Sequence, residues 1–322
     1  MVFKLDVKDK KLLTLLDKDA RLSNSQLARQ VGLSKPAIEY RLKRLDQQGV
    51  IFSFYTVIDF ARLGFSQYKI YFKLQNATLS DEEAMIDYWK KDDHAVWVAE
   101  VRGRWDLAVS IFADSNFAFG KIIDAFMRQF SSFILEKDVL LTEYSPIYAR
   151  EYLTDTESSL FTYAAPSKEY DLDKVDTQVI KAISTDARIS IIDLARKTGL
   201  TRDVVHYRLK KLTKDNIIIQ HRCYLNLSAI GINHYKIIFR TKNLDEKSEQ
   251  EFAAFVSEHK KATQFLKLIG SWDLEVEFET ENEDELYSIL AKMRKHFSKI
   301  IRDFDILRVT ATMKYDFFPF TV

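Results

Sequence analysis

The sequence predicts an α+β chain in which two winged or trihelical helix-turn-helix domains alternate with two ferredoxin-like (βαββαβ) domains in tandem. Two observations carry this. The chain repeats itself at a constant offset of 167 residues, and each repeat passes from helical to alternating apolar periodicity at the same place. Asp6 matches Asp173, the Asp-Ala-Arg triplet at 19–21 matches 186–188, Leu-Ala-Arg at 27–29 matches 194–196, and Tyr-Arg-Leu-Lys at 40–43 matches 207–210. Gly64 meets Gly231, and Gly103-x-Trp105-Asp106 meets Gly270-x-Trp272-Asp273, so no net insertion separates the copies. So long a period belongs to a duplicated two-domain unit and not to a solenoid. The expected boundaries are 1–60 and 168–227 for the helical domains and 61–153 and 228–322 for the ferredoxin-like domains. Residues 154–167, small and polar with a proline, suit a linker.

In the first domain, Leu12, Leu13 and Leu16 follow helical spacing, and a second short helix carries Leu27, Ala28 and Val31. Gly32 suits a left-handed C-cap and Ser34 an N-cap for a third helix with Ile38, Leu42 and Leu45 on its buried stripe. Copy two repeats this with Leu194, Ala195, Gly199, Thr201, Val205, Leu209 and Leu212. An extended connection then leads to Tyr68, Ile70, Phe72 and Leu74, whose alternation reads as a half-buried strand. A helix near 80–91, a strand pair near 96–112 turning at Gly103, a helix near 115–130 and a strand near 134–144 complete βαββαβ. The second copy places these at 233–242, 246–259, 263–280, 282–297 and 301–315.

Composition narrows the function. The chain has 322 residues, 47% hydrophobic and 30% charged, which fits a globular protein of more than one core. Charges among the first six residues and the lack of any run of about 18 apolar residues point to a cytoplasmic location with no membrane partner. One cysteine, Cys223, cannot form an internal disulfide. His221-x-Cys223 reads as an ordinary strand pair, so neither a metal nor another cofactor is expected. The six histidines follow no triad or ligand spacing, which argues against an enzyme.

Charge is uneven. Residues 4–51 hold eleven Lys and Arg against six Asp and Glu, and residues 168–218 hold eleven against eight, while the whole chain is only +1. Positive charge therefore gathers on the helical domains, where phosphates would be met. On the third helix the candidate DNA-binding residues are Ser34, Lys35, Glu39, Tyr40, Lys43 and Arg44; in copy two they are Thr201, Arg202, His206, Tyr207, Lys210 and Lys211. Double-stranded DNA is the expected partner. The plainer alternative is a trihelical packing domain whose lysines keep one face solvated.

Helices on one face of each four-stranded sheet leave the other face to be covered. That face should carry Lys69, Tyr71, Lys73, Ala108, Ser110 and Phe112 in copy one, and Lys236, Ile238, Arg240, Glu275, Glu277 and Glu279 in copy two. Two arrangements fit: the sheets pack together with Lys69 and Lys73 near the acidic row, or Lys236 and Arg240 pair with those glutamates across strands.

These residues resemble the Lrp/AsnC (feast/famine) family of transcription regulators, and the resemblance covers nearly the whole chain twice. It rests on Leu33-Ser34-x-x-x-Ile38-x-x-Arg41-Leu42-x-Arg44-Leu45 followed by Gly49-Val50-Ile51, and on Gly103-x-x-Asp106 and Gly270-x-x-Asp273. Members of the family pair as single modules, bind DNA and respond to small effectors such as amino acids, so the resemblance implies a covalent pseudo-dimer whose chains self-associate further. Asn216 departs from the family pattern, standing where copy one has Gly49. By the same resemblance Gly103, Asp106, Gly270 and Asp273 are effector-site candidates, with Thr310 and Thr312 as hydroxyl donors. The simpler reading of Gly-x-Trp-Asp is a hairpin turn that packs a tryptophan. Two alternatives remain. One is an architectural DNA-binding protein. The other is an enzyme similar to the siroheme decarboxylases, which share this architecture but carry histidine at the central hairpin, absent from Val101–Asp106 and Leu268–Asp273.

Overall fold

A computed structural model describes residues 2–154, 161–163, 169–318 and 320. Residues 155–160 and 164–167 of the expected linker, and residue 168 after it, lie outside the described residues. Side-chain caps start the first three helices. α1 (Val7–Lys18) begins at Asp6, whose carboxylate accepts from the Asp9 amide while Asp9 accepts from the Asp6 amide. α2 (Asn24–Val31) starts at Ser23 with the same reciprocal box through Gln26 and stops at Gly32 in the left-handed region. α3 (Lys35–Gln47) follows from N-cap Ser34.

The rest of copy one comprises β1 (Ile51–Ile58), β2 (Ser66–Leu74), α4 (Leu79–Lys91), β3 (Ala95–Arg102), β4 (Leu107–Ala113), α5 (Asn116–Phe130) and β5 (Ile134–Ile147). A short strand, β6 (Phe161–Tyr163), falls inside the expected linker and pairs with β5. Copy two comprises α6 (Lys174–Ser184), α7 (Ile191–Thr198), α8 (Arg202–Lys214), β7 (Ile218–Leu225), β8 (Asn233–Thr241), α9 (Glu246–Ser257), β9 (Ala262–Ile269), β10 (Leu274–Thr280), α10 (Glu283–His296) and β11 (Ile301–Tyr315).

The extended connection expected after the third helix is β1, and it pairs antiparallel with β7 of the other copy. Cys223 and Leu225 of β7 enter the core of the first helical domain, while Val57 and Ile58 of β1 join the core of the second. Each strand thus ties its own helices to those of the other copy. The ribbon satisfies its own backbone groups, which explains why an isolated extended segment is stable here.

The two ferredoxin-like sheets do not stack as separate layers. Hydrogen bonding runs β2-β4-β3-β11-β8-β10-β9-β5 and returns from β5 to β2, a closed antiparallel barrel with β6 outside β5. The long strands make the closure. β5 pairs with β2 up to Leu141 and with β9 beyond it, and β11 pairs with β8 and then β3 in the matching way. Among the described residues, closure leaves the barrel itself no long edge strand to pair with another chain. Outward residues such as Ile70 and Phe72 pack beneath α4 and α5 with Trp89 and Phe126, and Ile237 and Phe239 do so beneath α9 and α10 with Phe252 and Met293.

Glycine at each central hairpin serves the closure. Gly103 has φ +132°, and a Cβ there would lie 2.5 Å from the Ile306 carbonyl oxygen of β11. Gly270, at φ +151°, faces Val139 and Leu140 of β5 in the matching place. No side chain fits between hairpin and neighbouring strand.

Inward residues fill the barrel with charge. Both sequence arrangements are partly realised. Lys69 reaches across the lumen to Glu275 at 2.5 Å, and Lys236 pairs with Glu275 and Glu277 of the adjacent strand. Lys73 and Arg240 do not join the acidic row. They lie at the barrel ends, where Lys73 pairs with Asp106 at 3.0 Å and Arg240 lies over the Trp272 ring, 4.2 Å from its centroid. Burial would push Glu275 up, but Lys236 and Lys69 beside it hold it below the ordinary glutamate range. Burial likewise pulls Lys69 down to about 8, against the pull of Glu275.

Candidate nucleic-acid interface

Both third helices turn a polar face outward. Ser34, Lys35, Glu39, Tyr40 and Lys43 are exposed on α3, as are Thr201, Arg202, His206, Tyr207 and Lys210 on α8. Tyr40 and Tyr207 are 66% and 62% exposed, far more than an aromatic kept for packing. The opposite stripes, Ile38 and Leu45 in one helix and Val205, Leu209 and Leu212 in the other, are buried. The helix-turn-helix angle that exposes one face thus also anchors the other.

Two of the expected DNA-facing residues are turned inward. Arg44 binds Asp9 at 2.6 Å and lies over the Phe3 ring, while Lys211 donates to the Tyr170 hydroxyl and sits 4.0 Å from Asp176. Beside them Arg41 binds Asp6 and Asp9, and Arg208 binds Asp173 and Asp176. Each third helix is therefore clamped to the first helix of its own domain by the same carboxylate pair. The sequence shows these acids matched in the repeat, but not that they reach the third helix.

Sequence reasoning misses a further link, although the repeated triplet that makes it is plain in the chain. Arg21 donates to the carbonyls of Ala187 (2.7 Å) and Ile189 (3.2 Å), and Arg188 donates to those of Ala20 and Leu22 (3.1 Å). The Ala20 amide donates to His221 and the Ala187 amide to Phe54, so each Asp-Ala-Arg triplet grips the other copy's domain. Together with the β1–β7 ribbon, this clasp fixes one helical domain against the other. Burial of His221, aided by the Arg21 charge, pulls its pKa down to about 3, so the ring is neutral; it lies 3.0 Å from the Thr56 hydroxyl. Cys223 is buried in the first helical core, and burial pushes its thiol up.

The effector candidates do not converge on one place. Asp106 accepts from Lys73 and from the Leu74 amide (2.9 Å), and Asp273 accepts from the amide and hydroxyl of Thr241. Trp105 and Trp272 beside them are fully buried. Both carboxylates therefore lock their hairpins, the simpler of the two sequence readings. Gly103 and Thr310 border a surface cleft with Arg308, whereas Thr312 borders the barrel cavity, and Thr310 donates to the Glu100 carbonyl.

A profile for winged helix-turn-helix DNA-binding domains matches residues 5–51 and again 172–219. An uncharacterised HTH-type transcriptional regulator of Pyrococcus furiosus is 31% identical over 106 residues, which span 33% of this chain and 70% of that protein. The proline dehydrogenase transcriptional activator of Rhizobium radiobacter is 29% identical over 107 residues, 33% of this chain and 69% of its own. Among solved structures, the siroheme decarboxylase NirDL superposes with a TM-score of 0.64 over 98% of this chain and 95% of its own, at 11% identity, a likeness of fold. No helix among the described residues is long and apolar enough to cross a membrane. With a DNA-binding helical domain in each half and regulators of single-module length aligning to one repeat, the chain belongs to the Lrp/AsnC family of transcription regulators, as a tandem duplication of its module.

Proposed function

We propose that this chain is a cytoplasmic, sequence-specific DNA-binding transcription regulator that acts as a covalent pseudo-dimer and answers to a small effector. The observation that carries the reading is the matched pair of exposed faces on α3 and α8, set on helical domains that clasp one another. Lys35, Glu39, Tyr40 and Lys43, and Arg202, His206, Tyr207 and Lys210, address base edges and phosphates of half-sites about 34 Å apart. Ser34 and Thr201 place the helix N-termini near the backbone, and Arg44 and Lys211 lend charge from behind. Further association between chains extends the same surface. Salt titration of binding to genomic duplex fragments tests this. Affinity should fall by at least tenfold between 50 and 200 mM salt (on the scale of phosphate neutralisation), and Lys43→Ala with Lys210→Ala should flatten the slope by about 2. No binding to any duplex at low salt would falsify the proposal.

The fold likeness to NirDL favours one second reading, a catalyst acting on a tetrapyrrole. Against it, the central hairpins Val101–Asp106 and Leu268–Asp273 carry no histidine, and the barrel cavity of about 80 Å³ is too small to enclose a tetrapyrrole, which would have to lie in an open surface cleft. A tetrapyrrole absorption band copurifying with the chain would reverse this judgement.

A further inference from the structure

The barrel lumen is lined by unlike residues from the two copies. At inward positions related by the repeat, copy one has Gln67, Lys69 and Ser110 where copy two has His234, Lys236 and Glu277. Copy two satisfies itself, since His234 Nε2 lies 2.8 Å from a Glu277 oxygen and Lys236 reaches Glu275 and Glu277. Lys69 finds its counter-ion across the lumen in Glu275. Gln67 is left out, because the group that matches the glutamate held by His234 is Ser110. Its amide oxygen accepts no hydrogen bond among the described residues, and the side chain is only 7% exposed. Native interiors rarely keep such an acceptor empty-handed.

Gln67 borders the cavity of about 80 Å³, which also meets Trp97 and Leu266 on its apolar side. The charges around it balance. Lys69, Lys236, Arg150 and Arg222 are bonded to Glu275, Glu277, Glu279 and Asp17. A ligand with net charge would be buried there unopposed. A cavity of about 150 Å³ admits benzene, so the occupant of this smaller one has fewer heavy atoms than benzene.

We propose that the cavity binds a small, net-neutral molecule that donates a hydrogen bond to the Gln67 amide oxygen, either an uncharged amide-like compound or a zwitterion. The site is inferred from the barrel and stands whether or not the chain binds DNA. Its walls come from barrel strands and, through Tyr55 and Arg222, from the β1–β7 ribbon, so an occupant touches both parts of the molecule.

Crystals of the full chain soaked separately in acetamide, glycine, acetate and ethylammonium, with NMR titrations of the same four probes, test this. Acetamide or glycine should occupy the cavity with an N–H on Gln67, the first marking an uncharged ligand and the second a zwitterion. Acetate and ethylammonium should bind at least tenfold more weakly. Gln67→Met should remove the response and raise the melting midpoint of the unliganded chain, since the orphaned oxygen goes with it. Should that variant misfold, Gln67→Asn, which withdraws the oxygen from the cavity, should weaken probe binding at least tenfold. Water alone in the cavity under all four probes, or acetate binding as tightly as acetamide, would overturn the proposal.

Discussion

The two junctions between helical domains and barrel occupy matching positions and solve the same problem with opposite chemistry. One is built from Asp17, Arg150, Arg222 and Glu279; at the positions related by 167 residues the other has Ser184, Phe317, Tyr55 and Phe112. In the charged junction, Arg150 lies 2.7 Å from Asp17 and 2.8 Å from Glu279, and Arg222 lies 2.7 Å from Asp17, all buried. In the aromatic junction, the Tyr55 and Phe317 rings stack at 6.0 Å with Phe112 against Phe317 at 6.4 Å. One backbone geometry accepts either set whole. A mixture would leave a buried charge without its partner, which is why the four positions differ together.

The largest test of this contrast removes one member from each junction at nearly constant volume. Arg150→Met leaves Glu279 without its ion-pair partner and Asp17 with Arg222 alone, and should cost about 3–5 kcal/mol in urea unfolding. Phe317→Met exchanges one apolar group for another and should cost under about 1.5 kcal/mol. Equal losses would break the comparison.

Acid should separate the junctions next. Burial would raise the Asp17 pKa, but Arg222 and Arg150 more than reverse this and hold it below its ordinary 3.8. Glu275 and Glu277 are also held below 4.5, Glu277 by Lys236 and His234 against its burial. As pH falls through the ordinary carboxylate range, the unfolded chain takes up protons first, so stability that is complete above that range declines below it. Giving the charged junction the residues of the aromatic one, through Asp17→Ser, Arg150→Phe, Arg222→Tyr and Glu279→Phe made together, should leave the urea midpoint less sensitive between pH 6 and pH 4. An unchanged pH slope would show that the junction does not govern the acid response.

The recognition helices extend the comparison to DNA. At matching exposed positions copy one has Glu39 and copy two His206. A glutamate accepts from the cytosine amino group, whereas His206 beside Arg202 offers donors suited to guanine, so on the proposed reading the half-sites should differ at the base each residue would face. Glu39→His should shift that preference by about 1–3 kcal/mol toward two like half-sites, read by competition among duplexes. Identical preferences before and after would place base reading elsewhere on the helix.

What the sequence discloses follows from what repeats within it. The alternation of Tyr68 to Leu74 and the spacing of Ile38, Leu42 and Leu45 are local signals, and the helices and strands they imply are present within a few residues. Pairing is not local. The ribbon's partner strand lies some 167 residues away, and an inward face announces that it is covered without naming the cover. Lys69 meets the acidic row as expected because it lies mid-strand, while Lys73, two repeats of the pleat further, has already left the lumen for Asp106. Arg44 and Lys211 look free on a helical wheel, which cannot show Asp9 and Asp176 on a neighbouring helix.

The smallest difference concerns the turn after each third helix, where Gly49 has φ +64° and Asn216 φ +55°. Asparagine is among the few L-residues that enter this left-handed region readily, so the departure from glycine keeps the turn that starts β7 just as Gly49 starts β1. A Cβ on Gly49 would meet nothing within 4 Å, so only backbone preference separates the two residues. Asn216→Gly should therefore gain, and Gly49→Asn lose, no more than about 1 kcal/mol each in unfolding midpoints. If Gly49→Asn left stability within that margin yet weakened DNA binding tenfold, the turn of copy one would be a backbone contact to phosphate that copy two has given up, and the asymmetry between the copies would reach their grip on DNA as well as their packing.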